Sequence, residues 1–148
     1  MKGQGKKITI VVFILLGIAA SIGFYLYNKG PVNIKNANAI KINANELYND
    51  FITDSASAQK KYTGKVLSVN AKVSSSTVNQ NGEQLILLNT ALQSAFINCT
   101  FEEKDVKIIA GEQVTIKGLC SGIGQGDIDL GIAGDVYLSR CYLLKNTP

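Results

Sequence analysis

The stretch that decides the fold is KVLSVNAKV, residues 65–73, where the hydrophobic pattern takes on a period of two. Apolar residues occupy every second position and polar residues the positions between them: Leu67, Val69, Ala71 and Val73 against Ser68, Asn70 and Lys72. Successive side chains of a β-strand point to opposite faces of its sheet. The stretch therefore predicts a strand with one buried face and one face in water.

Four more stretches downstream predict strands: EQLILLN (83–89), SAFINCTF (94–101), EQVTIKGLC (112–120) and DVYLSRCYLL (135–144). Between the third and fourth strands, EEKDVKIIAG (102–111) predicts one helical turn, because Val106 and Ile109 share a helical face. Five short strands with a helical piece after the third suit a small closed barrel, since closure removes the exposed edges of an open sheet.

The residues before the first strand predict a short amphipathic helix in NANELYNDFITDSASAQKKY, residues 43–62. Asn43 or Asn45 is its expected N-cap, and Gly64 closes it. The preceding segment, 28–43, is rich in asparagine and shows no periodic apolar face, which predicts a linker. The barrel domain with its N-terminal helix is thus expected over residues 44–148.

The N-terminal region predicts a membrane anchor. After a short tail, residues 1–7, Ile8 to Tyr27 form 20 residues without a charge. As a helix they would span about 30 Å, the thickness of a bilayer's hydrocarbon core. We expect a single transmembrane helix over 8–27, or an uncleaved signal anchor; a cleaved secretory signal is the alternative. The long C-terminal part is expected on the outer side of the membrane.

The positive charge of the chain lies in this N-terminal region. The net charge is +4, and residues 1–30 contain four lysines and no acid. Residues 31–148 carry 15 − 4 = 11 basic and 11 acidic side chains, so this part of the chain, which includes the predicted barrel, has no net charge. Strong electrostatic binding of a nucleic-acid backbone needs a cationic surface, and the charge balance disfavours it.

Four segments together resemble a known family: KYTGKVLSVNAKV, INCTF, GEQVTIKGLCSG and VYLSRCYL. They are similar to the tRNA-anticodon-like OB-fold family of small bacterial exported and membrane-anchored proteins. The resemblance covers roughly residues 47–144. It implies that these residues form a mainly β, five-stranded OB-fold barrel. Together with the segments before it, the expected architecture is a transmembrane helix, a linker and an amphipathic helix followed by this barrel. The resemblance implies no catalytic residue.

The three cysteines each lie in or at the end of a predicted strand. In an OB barrel the fifth strand neighbours the third and the fourth, so Cys141 could meet either Cys99 or Cys120. In an oxidising compartment we expect a Cys120–Cys141 disulfide and a free Cys99; the alternative is three buried thiols. The chain has no histidine and no C-x-x-C pair, so we expect no zinc site, no cofactor and no enzymatic activity.

The glycine-rich segment GLCSGIGQGDIDLGIAGD, residues 118–135, allows two interpretations. A phosphate-binding loop would need GxGxxG or Walker spacing and a following helix, and both are missing. Asp127, Asp129 and Asp135 would repel a phosphate, and they lack the spacing of an EF-hand calcium loop. The segment is better explained as the long loop between the last two strands.

The predicted function is binding rather than catalysis. OB barrels bind single-stranded nucleic acids on strands two and three, through aromatic residues beside a basic groove. Here the candidate binding residues are Phe96 in strand three and Lys65 and Lys72 in strand one. Because residues 31–148 have no net charge, we expect a membrane-anchored, envelope-facing interaction module for a protein, peptide or glycan. A single-stranded nucleic-acid binder is the alternative.

Overall fold

The computed structural model describes residues 14–25, 33–127 and 133–144, which belong to two separate units divided after residue 32. In the first unit, residues 14–25 form helix α1. Within the described ranges, no helix combines the length and the hydropathy needed to cross a membrane. The other residues of the predicted span 8–27 lie outside the described residues.

The second unit is a barrel preceded by one short strand and two helices. Its elements are β1 (Ile40–Asn43), α2 (Ala44–Thr53), α3 (Ser55–Tyr62), β2 (Val66–Val78), β3 (Gln84–Asn89), β4 (Phe96–Phe101), β5 (Gln113–Ile123) and β6 (Val136–Leu144). The strand order is β1-β2-β3-β4-β6-β5, and β5 returns to pair with β2. Strands β2 to β6 therefore close into the five-stranded barrel predicted from the sequence, with the strand order of an OB-fold.

Strand β2 is long enough to pair with three other strands. Residues 66–72 pair antiparallel with β5, and residues 67–70 also pair parallel with β1 on the opposite edge. From Val73 onward β2 pairs with β3, after a register shift between Val73 and Ser75. The prediction of a linker over 28–43 was wrong for residues 40–43, which form β1. A strand of four residues carries too little periodicity to stand out, and its pairing with β2 stabilises it.

The residues just before β1 also pack on the barrel. Ile34 is 1% exposed, and the buried side chain of Lys117 on β5 donates a hydrogen bond from Nζ to the Lys35 carbonyl oxygen at 2.8 Å. A buried ammonium group is costly unless it finds such an acceptor. The part of the predicted linker that the structure describes thus belongs to the folded domain.

Helices α2 and α3 bury Leu47, Phe51 and Tyr62 against the barrel core. Asn43 is the N-cap of α2, as its side-chain oxygen accepts a hydrogen bond from the Glu46 amide at 2.8 Å. The single helix predicted over 43–62 is in fact two, because the chain breaks at Asp54. The Asp54 carboxylate caps α3 by accepting hydrogen bonds from the Ser57 amide at 3.0 Å and hydroxyl at 2.7 Å.

The segment between β4 and β5 differs from the prediction. Residues 102–111 contain bends and a turn but no helix. The buried side-chain carboxamide of Gln84 donates to the Val106 carbonyl oxygen at 2.6 Å and accepts from the Val106 amide at 2.9 Å. These bonds hold the segment extended at Val106, so that Ile108 enters the core and Ile109 remains 73% exposed.

Candidate binding site

The outer surface of β3 and β4 is an uncharged face. Inward residues of both strands are buried, while every second residue is half-buried and points outward: Leu85, Leu87 and Asn89 on β3, and Phe96, Asn98 and Thr100 on β4. The strand register places Leu87 beside Asn98 and Asn89 beside Phe96. No residue of either strand is charged. We call these six side chains the barrel face.

Neighbouring strands extend this neutral surface on both sides. Ser75 and Thr77 of β2 lie beside Leu87 and Leu85. On the other side Tyr137 of β6 lies beside Asn98 and is 43% exposed. The Tyr137 ring packs against Gly124, where an added Cβ would approach ring carbon Cε2 to 2.8 Å. Gly124, directly after the end of β5, therefore leaves the space that the tyrosine ring occupies.

A polar groove lies at one end of the barrel face, between the end of β1 and the end of β3. Its volume is about 380 Å³, and we call it the amide groove after the polar side chains that line it: Asn43, Asn45, Asn70, Lys72, Asn89, Thr90 and Gln113. Asn70 accepts a hydrogen bond from Gln113 Nε2 at 2.7 Å and donates one to Thr115 Oγ1 at 3.0 Å. Asn89 belongs both to the groove and to the barrel face.

The structure brings together two of the three predicted binding residues. Phe96 lies on the barrel face beside Asn89, and Lys72 lines the amide groove with Asn89. Lys65 precedes Lys72 by seven residues, a distance of about 23 Å along an extended strand. It lies at the start of β2, where its carbonyl oxygen accepts a hydrogen bond from the Cys120 amide. Lys65 is therefore not part of the site.

The three cysteines are buried, and all three are free thiols. Cys120 pairs with Leu138 on β6, three residues before Cys141, so the structure does not form the predicted Cys120–Cys141 disulfide. The side chain of Cys141 instead contacts Cys99. Burial raises the pKa of the Cys99 thiol, and the contact with Cys141 raises it further. Burial also raises the pKa of Cys120. Thiols held protonated in this way are weak nucleophiles.

The described part of the glycine-rich loop forms hydrogen bonds that fix the backbone beside the barrel face, and it forms no ion site. Asp135 accepts a hydrogen bond from the Phe96 amide at 2.9 Å, and its carbonyl oxygen accepts one from the Gly124 amide. Asp129 lies outside the described residues. In the described part of the chain no cluster of three acidic or cysteine side chains could hold a metal ion.

Most side chains of the site were not singled out from the sequence. Leu85, Leu87, Asn98 and Tyr137 sit at the outward positions of strands that were predicted. Alternation with apolar neighbours was a signal for Asn98 and Tyr137, whereas the four consecutive apolar residues of QLILLN contain none for Leu85 and Leu87. The sequence contains no such signal for Asn45 and Asn89, because they are brought together only by the pairing of β2 with both β1 and β3.

Comparison with known proteins bears on the family and not on a ligand. The sequence model of the tRNA_anti-like family matches residues 1–130. No curated protein matches the chain. Among solved structures, a similar one is a Leishmania major Friedlin protein assigned as an aspartyl-tRNA synthetase, with 9% identity and a TM-score of 0.45. The match covers 88% of this chain and 27% of that one. A likeness at this level carries no information on function.

Proposed function

We propose that this chain, which belongs to the tRNA_anti-like family, is a membrane-tethered binding module whose ligand contacts the barrel face. The tether is the uncharged segment 8–27, and the barrel lies on the outer side of the membrane. The ligand is a protein, peptide or glycan without high charge. The module binds and does not catalyse.

The observation that carries this proposal is the absence of charge on the barrel face. Both strands that form it, β3 and β4, contain only neutral residues. Two half-buried leucines, an aromatic ring and asparagine amides provide apolar contact and hydrogen bonds, the combination found in the cores of protein interfaces. A polyanionic ligand would meet no opposite charge there, which is why we rank nucleic acid second.

Contact at the barrel face is tested by site-specific crosslinking in cells. A photoreactive aromatic amino acid replaces Leu87, and in a matched control it replaces Gln80, an exposed residue of the β2–β3 turn. We expect a defined adduct at position 87 that is missing at position 80, and mass spectrometry identifies it. Equal crosslinking at the two positions, or none at either, would contradict the proposal.

The placement of the barrel is tested with engineered cysteines, and the burial of the native thiols makes this simple. The full-length chain should give little background with a membrane-impermeant maleimide, since its three thiols are at most 1% exposed. Thr77→Cys places a thiol on an exposed stretch of β2, and Lys2→Cys places one in the N-terminal tail. We expect labelling of intact cells at position 77 only; labelling of that position only after lysis would overturn the placement.

Single-stranded nucleic-acid binding is the second candidate, favoured by two half-exposed rings on neighbouring strands. Phe96 on β4 and Tyr137 on β6 are the type of side chain on which bases stack, and Lys72 lies at the same end of the barrel as Phe96. Fluorescence anisotropy with a labelled single-stranded RNA tests it. Sub-micromolar affinity that falls with salt and is lost in Phe96→Ala would move this candidate to first place.

A further inference from the structure

We infer that the amide groove is a saccharide-binding subsite at the end of the barrel face, specific for sugars without positive charge. The inference rests on the proposed binding function and assigns it a ligand class. Three features of the groove support it: its size and position, the hydrogen-bonding groups that line it, and its repulsion of positively charged ligands.

The groove occupies a gap in the strand pairing of β2. Along one edge of β2, pairing with β1 ends at Asn70 and pairing with β3 begins at Val73. The gap is about 380 Å³ in volume, and its two apolar lining residues, Ala44 and Ala71, are small. The space can accept a short oligosaccharide, whereas a peptide anchored by a large apolar side chain would find no apolar pocket of its own.

The lining side chains match the hydrogen-bonding needs of hydroxyl groups. A sugar hydroxyl both donates and accepts, and a side-chain amide offers a donor and an acceptor side by side. Asn70 is fixed by its bonds to Gln113 and Thr115 and is already oriented. Within the part of the chain that the structure describes, the side chains of Asn45 and Asn89 form no hydrogen bond, so both amides can pair with a ligand.

The charge of the residues that line the groove further restricts the class of ligand. Among the residues that the structure describes, Lys72 is the one charged residue that lines the groove, and no carboxylate lines it. A cationic amino sugar or a lysine-rich peptide would therefore meet repulsion without a partner. A single lysine suits one carboxylate of an acidic sugar but not the row of phosphates of a nucleic acid. Neutral and singly acidic saccharides remain as ligands.

The experiment uses the full-length chain in detergent micelles and two probes, the neutral tetramer of N-acetylglucosamine and sialyllactose, an acidic trimer that carries a single carboxylate. Binding is followed by isothermal titration calorimetry. We expect at least one probe to bind, and Asn45→Ala and Asn89→Ala each to weaken its binding about five- to tenfold, the usual effect of one lost hydrogen bond. Lys72→Gln should weaken only the acidic trimer, and Gln80→Ala should change neither. Thermal unfolding of each variant checks that it is folded.

The outcomes separate this inference from the function proposed above. No binding of either probe at millimolar concentration, or binding that is unchanged in Asn45→Ala and Asn89→Ala, would overturn the subsite. A crosslink at position 87 would then still support the barrel face as a site for another ligand. Saccharide binding that depends on the groove, with no crosslink at position 87, would support the subsite and contradict the role of the face.

Discussion

Gln84 and Val106 are joined by two hydrogen bonds in which a side-chain amide takes the place of a neighbouring strand. Gln84 Nε2 donates to the Val106 carbonyl oxygen at 2.6 Å, and the Val106 amide donates to Gln84 Oε1 at 2.9 Å. The two residues are 22 positions apart, so this pair fastens the segment between β4 and β5 to the start of β3. It holds a segment for which the sequence predicted one helical turn.

Gln84→Ala should therefore lower the free energy of unfolding by about 1–3 kcal/mol, because it leaves part-buried backbone groups of Val106 without partners. Urea denaturation followed by circular dichroism measures the change. Gln80→Ala removes the same kind of side chain from an exposed turn position and should change stability by less than about 0.5 kcal/mol. Equal effects of the two substitutions would show that the carboxamide bonds contribute nothing.

Gly118→Ala should destabilise the barrel by overpacking. An added Cβ would lie 2.6 Å from Cys141 Sγ and 3.3 Å from the Ser139 carbonyl oxygen. Filling a packed site in this way costs about 1–3 kcal/mol. If the sulfur is the main obstacle, the double variant with Cys141→Ala should lose less stability than the two single changes summed, as urea denaturation of all three variants would measure. Strict additivity would mean that the thiol does not limit the space at position 118.

Lys117→Met should loosen the residues before β1 without unfolding the barrel. Methionine keeps an apolar stem of similar length but cannot donate to the Lys35 carbonyl oxygen, which accepts from Lys117 Nζ at 2.8 Å. We expect faster tryptic cleavage after Lys35 in the native protein. Lys104→Met changes an exposed lysine and should leave this cleavage rate unchanged. An unaltered rate in Lys117→Met would mean that pairing of β1 alone holds the segment.

Acid should weaken the junction of α2 with α3 through Asp50. The Tyr62 hydroxyl, which donates to Asp50 Oδ2 at 2.6 Å, and Lys61 hold the pKa of Asp50 below its ordinary value. A lowered folded pKa stabilises the protein above the unfolded value, near pH 4, and this stabilisation is lost as the pH falls through the folded value. Tyr62→Phe should thus cost about 1 kcal/mol at pH 7 and less at pH 3, measured by urea denaturation at both pH values. A cost independent of pH would exclude the carboxylate as the partner that matters.

The sequence predicted those parts of the fold that follow from local periodicity. All five barrel strands lie in the stretches that predicted them, and the alternation is clearest in KVLSVNAKV, residues 65–73. Barrel closure was inferred from the number of those strands and from the cost of exposed edges. The break between α2 and α3 at Asp54 was not predicted. Asp50 is acidic and precedes the break, and Lys61 is basic and lies near the end of the segment, which is also the charge order that the dipole of one continuous helix favours. The strand at residues 40–43 and the extended course at Val106 depend on partners far along the chain, Leu67–Asn70 and Gln84, which periodicity does not report.

The candidate site was less predictable for the same reason. Phe96 and Lys72 were singled out by residue type, and both lie at the site. The amide groove arises where β2 exchanges one partner strand for another, so its lining comes from separate stretches of sequence. Cys99 and Cys141 meet because of the β4–β6 register, which includes a shift between Cys99 and Phe101 that the spacing of cysteines does not reveal.

The position of β6 between β4 and β5 also governs when the barrel can form. Until β6 is synthesised, β4 and β5 each present an unpaired edge. The pairing of β2 with β5 also has to bring together residues that are far apart in the sequence, such as Val66 and Leu119. Such non-local pairing is slow, on the order of milliseconds to seconds for small barrels. The nascent chain is therefore exposed to edge-to-edge association until β6 docks, and closure of the barrel waits until this strand has left the ribosome.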